Sequence, residues 1–338
     1  FKSKIDKYDF VIFDSYSIET ERFITSKSPF SGSYSNATVG ALKGFLTEIA
    51  DVLDNVSVHK IFIANLDYYA ISEKLLERVE ALSPFIISMT DRNSTLKYLS
   101  YAEELNLTES SLAKHGKSTN EWFDFVNRRS ELIVSVPHFI ASPEFDFSNT
   151  KSKHFKIDVP GIKYQDRGNY VSYLNTTDKL NYYSHHIRYK YFLLVNKINN
   201  GLSQTQLMNF RAQFMKRLSQ SQAHITTGGP FMAPIRKFYE IPARNSTMIC
   251  KIFYGASHQG FAEYENFLPV SDYTNKSIYQ QLFENREQLY DIQKAGFSHI
   301  IKKHSSPTRV KQLRSSFDLI QIEKFQGSIW KNGRYINL

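Results

Sequence analysis

A single cysteine in 338 residues, Cys250, excludes an internal disulfide framework and any cysteine-based zinc or iron–sulfur centre. The expected setting is therefore a reducing one, the cytoplasm. Glycine and proline are sparse, at 14 and 10 residues, which leaves no collagenous or low-complexity tract. Long apolar runs are missing too: the stretches 10–13, 61–66 and 191–195 fall far short of the roughly 18 to 20 residues that span a bilayer. The opening Phe1-Lys2-Ser3-Lys4-Ile5-Asp6-Lys7 has no apolar leader core, so export is not expected from it. Serine-hydrolase, P-loop and GxGxxG signatures are absent. Metal chemistry has little to build on. His185 and His186 are adjacent and point different ways on a helix or strand, and Asp124 and Asp146 each lack a second strand-end acid. Neither a metal nor a cofactor is expected.

What the chain does contain is 41% hydrophobic and 14% aromatic residues, enough to build the cores of two ordinary domains or one large α/β unit. Strand-like and helix-like patterns alternate. Strands are expected at 8–14, 60–65, 85–89 and 131–136, and helices at 38–53, 71–82 and 94–105, the order of a doubly wound α/β half. The polar segment 141–155 has no sustained period and marks the expected boundary. Beyond it strands are expected near 156–159, 191–196, 223–227, 248–251 and 266–270, with closing helices at 276–295 and 308–322. Charge changes across the same boundary. Residues 1–150 hold 15 Lys+Arg against 21 Asp+Glu, and residues 151–338 hold 27 against 12. A basic second half fits a phosphate, an anionic polymer or an anionic membrane surface, or only a solvated basic face.

Chemistry concentrates in Ala223 to Glu240, which reads as a strand, a loop with Gly228 and Gly229, and a helix with Pro near its first turn. A helix start offers free N–H groups to a phosphate, the glycines let the backbone approach, and Arg236 and Lys237 add charge. Glu240 lies one turn after Arg236, where a carboxylate can accept hydrogen bonds from sugar hydroxyls or simply form an i, i+4 ion pair on a solvated helix.

The longer window Arg236-Lys-Phe-Tyr-Glu-Ile-Pro-Ala-Arg-Asn-Ser-Thr-Met-Ile-Cys250 resembles the donor-site helix of GT-B glycosyltransferases of the group 1 type, in their CgeB-like branch. There the pattern runs Arg/Lys-x-Phe-Glu-x-x-Ala-x-Gly before an apolar strand. Three further segments are similar in order. Ile157 to Arg167 resembles the strand, Gly and Tyr-x-x-Arg that open the donor domain, and Gly260 to Phe267 resembles the loop before the penultimate helices. Arg286 to Leu313 resembles the ending, a helix, an Ala295-Gly296 break, a His304-Ser305 turn and an Arg-bearing helix. The resemblance covers 152–320 well and 1–150 only by general architecture.

It implies an α/β protein with two Rossmann-like domains facing a cleft. Residues 1–150 would form the acceptor-side domain and 151–338 the nucleotide-sugar donor domain. The implied activity moves a sugar from a nucleotide-sugar, which is a substrate and not a cofactor, to a glycan or lipid-linked acceptor, as in polysaccharide biosynthesis, without a metal. Glu240 would hold the donor ribose, with Arg236, Lys237, Gly228, Gly229 and Arg167 around the diphosphate. Two positions depart from the pattern. Met232 stands where retaining members carry another Glu, and Asn245 replaces the glycine after the helix while tolerating its left-handed conformation. Retention or inversion is left open.

A general base, or a group stabilising an oxocarbenium-like centre, would come from the first domain. Strand-end acids are the candidates: Asp91 first, then Asp67 and Asp14, with His138 also following a strand. Each is equally readable as a cap or loop residue. A noncatalytic nucleotide- or glycan-binding relative is the alternative. The interleaved Tyr182-Tyr-Ser-His-His-Ile-Arg-Tyr-Lys-Tyr191 has the composition of a nucleic-acid surface, but no RRM, KH or zinc-finger signature accompanies it, and nucleic acid is not an expected partner. Lys302, Lys303, Arg309, Lys311 and Arg314 lie beside Val310, Leu313 and Phe317, a grouping suited to peripheral contact with an anionic membrane or to a helix with its charges in water.

Overall fold

Phe10–Asp14, apolar until its closing acid, forms strand β1 of a computed structural model. The structure describes residues 5, 7–14, 49, 51–64, 73–89, 116–148, 154–160, 187, 190, 191, 194, 204–226, 234–253, 255–270 and 284–338. Strands β2 (His59–Ile63), β3 (Phe85–Ser88) and β4 (Ile133–Ser135) follow, all parallel, in the order β1-β2-β3-β4. Parallel strands covered on both faces read as unbroken apolar runs, and Ile61, Phe62, Ile86, Ile133 and Val134 are buried. Each such side chain taken from water contributes about 1.5–3 kcal/mol.

Parallel neighbours need crossovers. Helix α1 (Glu73–Leu82) buries Leu75, Val79 and Leu82, one face at i, i+4, i+7. Helix α2 (Gly116–Arg128) buries Trp122, Phe125 and Val126. The expected elements do not include α2, although those three residues carry the i, i+3, i+4 repeat. The helix expected at 94–105 lies outside the described residues; that at 38–53 is seen in its last part, where 51–55 are helical and Leu53 is buried.

The second sheet, β5 (His154–Asp158), β6 (Ser221–Thr226), β7 (Thr247–Cys250) and β8 (Leu268–Pro269), is again parallel and sequential. Helix α3 (Gln204–Gln220) leads into β6, the short α4 (Lys237–Ala243) joins β6 to β7, and α5 (Arg286–Lys303) and α6 (Ser306–Gln321) follow β8. The strand expected at 191–196 is a correction: Ile187, Lys190, Tyr191 and Leu194 are helical. A short apolar run reads as strand or helix by length alone, and Ile187, Tyr191 and Leu194 fall on one exposed helical face at i, i+4, i+7.

Helix α5 corrects a second expectation. The Ala295-Gly296 pair does not break the helix, which runs on to Lys303. Gly296 is instead a contact residue, since a Cβ there would sit 2.7 Å from the backbone oxygen of Asn266. Asn266 closes its own loop, accepting from Ala262 N–H at 3.0 Å and donating to Gly260 O at 3.0 Å.

The chain divides into two compact units. One comprises Phe1–Pro137, Lys311–Lys331 and Tyr335–Leu338, and the other His138–Val310 and Asn332–Arg334. Helix α6 therefore belongs to the second unit up to Val310 and to the first from Lys311. Leu313, Phe317 and Leu319 pack against Val134, Val136, Ile320 and Phe325 in the first unit. A closing hairpin, β9 (Ser328–Lys331) and β10 (Arg334–Asn337), turns at Asn332-Gly333 with φ of 51° and 69°. The Trp330 indole N–H donates to Ser135 O at 3.2 Å, and Ser328 Oγ accepts from Ser135 N–H at 2.7 Å, which fixes β9 beside β4. Sequence spacing did not single out this hairpin, although Asn-Gly between two short apolar strands is its usual signal.

Gly296→Ala tests the close approach in α5. On an unconstrained helix the substitution stabilises by about 0.5–1 kcal/mol, whereas a Cβ against Asn266 O should cost about 1–3 kcal/mol. Urea unfolding gives the sign, and a stabilised variant would contradict the approach.

Candidate functional site

Helix α4 is seven residues long, and Phe238 to Ala243 are all buried. A helix this short depends on its ends. Its exit is a left-handed turn at Asn245 (φ 56°), with Ser246 N–H donating to Ile241 O at 3.3 Å and Asn245 N–H to Pro242 O at 2.8 Å. Asparagine thus serves where the family pattern has glycine.

The segment just inside the second unit is bound to this helix. Ser142–Glu144 is a single 3-10 turn, closed by the Glu144 carboxylate accepting from Ala141 N–H at 3.0 Å. Asp146 N–H donates to Ala243 O at 3.0 Å, Arg244 Nη1 to Glu144 O at 3.1 Å, and Arg244 Nε to Ser219 Oγ at 2.7 Å. Burial pushes the Asp146 carboxyl up, but hydrogen bonds from Ser219 and Ser148 and the Arg244 charge hold it below the usual range.

Two acids and two arginines meet at the face of α4. The Glu240 side chain is 5% exposed, that of Arg236 41%. Arg236 Nε donates to Glu240 Oε1 at 3.0 Å, and its Nη2 reaches both oxygens of Glu144, at 3.0 and 2.7 Å. Arg211, from α3, pairs with Glu144 and stands 3.5 Å from Glu240 Oε1. Burial, then the neighbouring Arg236 charge, lowers the Arg211 pKa, and Glu240 opposes the shift. The i, i+4 pair expected of a solvated helix is formed, but on a buried carboxylate. Among the described residues Glu240 Oε2 receives no hydrogen bond, so one oxygen is anchored by Arg236 and the other has no donor among them. Sequence reasoning missed Glu144 and Arg211, which lie 96 and 29 positions before Glu240 and share no motif with it.

Behind α4 is an aromatic and histidine layer. The Tyr239 hydroxyl donates to Gln259 Oε1 at 2.5 Å, and burial holds its proton far above the normal range. His304 lies 5.1 Å from the Tyr239 ring and from His299, between Gln259 O at 3.3 Å and Arg309 Nη2 at 3.2 Å. Arg309 donates to Nδ1, so the ring proton sits on Nε2 and is donated to Gln259. Burial, then the Arg309 charge, keeps His304 neutral. His299 is lowered to about 4 by burial and Lys303, and His138 to about 4 by burial and Arg236. His138 packs 5.8 Å from Tyr239, next to the Pro234 carbonyl.

Of the expected site residues, Glu240, Arg236, Lys237 and His138 are described, in the second unit. Gly228, Gly229, Arg167, Asp91 and Asp67 lie outside the described residues. Asp14 does end β1. Asp158, another strand-end acid, is consumed internally: Arg217 donates to its two oxygens at 2.6 and 2.5 Å. Burial raises the Asp158 carboxyl, but the Arg217 charge holds it below the usual range. The basic grouping at the end of α5 and along α6 comes apart. Arg309 is buried and Leu313 and Phe317 pack in a core, which leaves Lys302, Val310, Lys311 and Arg314 exposed. Among the described residues no group of His, Cys, Asp and Glu could hold a metal ion, and no helix is long and apolar enough to cross a membrane.

No protein-family model matches this chain, and no curated protein matches it in sequence. In fold it is similar to Alr3699/HepE of Anabaena. The crystal structure of that protein with UDP and glucose has a TM-score of 0.50 at 10% identity, over 94% of this chain and 80% of that one. A crystal structure with UDP alone has a TM-score of 0.51, at the same identity and coverage. A glycosyltransferase from Rickettsia africae ESF-5 is similar at a TM-score of 0.48 and 11% identity, over 95% of this chain and 79% of that one. At such identities the likeness is one of fold, and the fold is that of the GT-B glycosyltransferases, two Rossmann-like α/β units.

The neutral histidines make stability depend on pH. In the unfolded chain each binds a proton near 6.5, while folded His138 and His299 take one only near 4. Stability is full above 6.5 and is lost as pH falls towards 4, by about 3 kcal/mol for each of the two by the end of that window. Urea midpoints between pH 7.5 and 4.5 should fall accordingly, and His299→Phe should flatten the slope. A pH-independent midpoint would show that these rings are solvated.

Proposed function

We propose that this protein is a glycosyltransferase that moves a sugar from a nucleotide-sugar donor to a glycan or lipid-linked acceptor. Glu240 binds the donor ribose in this reading. What carries it is the state of that carboxylate: nearly buried, anchored through Oε1 to Arg236, with Oε2 open among the described residues. A buried acceptor with one unused oxygen is suited to the hydroxyls of a sugar, since a lone apolar contact would leave it unpaired. Support comes also from the GT-B fold, shared with a HepE structure that holds UDP. The finer placement in the CgeB-like branch rests on Arg236 to Ala243 and on Asn245, whose left-handed turn keeps the helix exit of that pattern.

In this proposal residues 151–338 supply the donor side and residues 1–150 the acceptor side, with the stretch from His138 to Ser148 folding with the second unit and Lys311 to Lys331 with the first. Lys237, Gly228, Gly229 and Arg167 are assigned to the diphosphate. Asp91 and Asp67 remain the proposed bases, and His138 a weaker one. A ring with a pKa of about 4 is unprotonated at neutral pH yet holds an abstracted proton poorly. The donor leaving group is stabilised by basic groups and backbone N–H donors rather than by a metal. The reading places the protein in the cytoplasm, with Lys302, Lys311 and Arg314 available to an anionic membrane that carries the acceptor.

Glu240→Ala should weaken UDP binding by about 1–3 kcal/mol, the scale of a lost charge-assisted hydrogen bond. Calorimetric titration of the full chain measures it, with circular dichroism to establish folding. Unchanged affinity in a folded variant removes Glu240 from the site. Turnover of a nucleotide-sugar by the parent protein separates a transferase from a noncatalytic binder.

A further inference from the structure

We propose that Glu144 is a positioning residue: it holds Arg211 and Arg236 off the open face of Glu240, so that Oε2 stays available to the ribose hydroxyls. The proposal rests on the reading of Glu240 as the ribose contact. Two guanidinium groups lie within reach of one nearly buried carboxylate, Arg236 Nε at 3.0 Å and Arg211 Nη2 at 3.5 Å. Left with a single acid, two arginines would both close on it, because a bidentate arginine–carboxylate pair uses both oxygens. Glu144 prevents this by taking the Nη2 of each: it pairs with Arg211, and Arg236 Nη2 reaches its two oxygens at 3.0 and 2.7 Å. Arg236 is thereby turned so that only Nε meets Glu240.

Glu144 can do so because its own position does not depend on Arg211 and Arg236 alone. Its carboxylate accepts from Ala141 N–H, its backbone oxygen accepts from Arg244 Nη1, and Asp146 two residues on is bonded to Ala243 at the end of α4. The acid is thus fixed to the same helix that carries Glu240. With Glu144 charged, the cluster of two acids and two arginines is neutral; without its charge the cluster is +1, and the like-charged arginines compete for Glu240.

The test uses the full chain, UDP and 2′,3′-dideoxyuridine diphosphate, which differ only in the hydroxyls that Glu240 would accept. The parent should prefer UDP roughly tenfold, the scale of a charged hydrogen bond. Glu144→Gln retains size and the Ala141 contact, and should bring the preference to near unity while leaving dideoxy affinity unchanged or tighter, as the site gains positive charge. Adding Arg211→Gln and Arg236→Lys restores neutrality and leaves Glu240 a single ammonium partner without the planar fork that would take both oxygens, so the preference should return. A purely structural role for Glu144 predicts no such rescue. If Glu144→Gln keeps the parent preference, or the triple variant does not regain it, while Glu240→Ala abolishes it, the positioning role is overturned and the Glu240 reading stands. Equal affinity for both ligands in the parent overturns the two together.

Discussion

A carboxylate withdrawn from water must be charge-matched, and the second unit is organised around that requirement at Glu240. Removing such a group from solvent costs several kcal/mol unless a partner and good hydrogen bonds offset it. Arg236 is that partner, one helical turn earlier, and it is itself shared with Glu144. The pairing therefore cannot be local to α4. It requires the turn at Ser142–Glu144 to lie against the helix, which the Asp146–Ala243, Arg244–Glu144 and Arg244–Ser219 hydrogen bonds arrange. The first of those bonds also uses a carbonyl that would otherwise be left at the end of α4.

The same constraint bears on how so short a helix is held. Seven residues do not hold a helix in water. Here Phe238, Tyr239 and Ile241 are buried in a core that includes Met248, Phe253 and Phe261, and Asn245 supplies the left-handed exit. Behind them Gly296 lets α5 approach the 262–267 loop. The layer remains apolar in character because its histidines are kept neutral, and their cost appears only when acid protonates the unfolded chain.

Strands were the legible part of the fold, since parallel, doubly covered strands leave unbroken apolar runs such as Ile61 to Ile63 and Met248 to Cys250. The run at 191–195 misled because an apolar stretch of five residues carries no period of its own, and Ala295-Gly296 misled because a glycine needed for close approach reads the same as one needed to end a helix. In the site, Arg236 and Glu240 were legible because they are four residues apart on one helix. Glu144 and Arg211 were not, because ion pairs across tens of residues follow from tertiary packing and leave no spacing behind. Charge counts hid them further: Glu144 and Asp146 fall numerically in the acidic first 150 residues, yet they neutralise arginines of the second unit.

That neutralisation divides the work of the site. Arg211 and Arg236 look in sequence like part of the cationic surplus available to phosphate, but each is matched by a carboxylate within the cluster. A neutral cluster adds little long-range attraction for a diphosphate; what it offers is direction, a hydrogen-bond acceptor held at a fixed angle. Attraction must then come from basic groups outside the cluster, which the second half of the chain has in excess. Screening by salt weakens that attraction without disturbing the buried pairs, because exposed charges lie in high dielectric and the Glu240 carboxylate does not. If Glu240 meets the donor ribose as proposed, encounter with an anionic donor and selection of its sugar hydroxyls fall to different residues, and the order that Glu144 would impose keeps the second separate from the first.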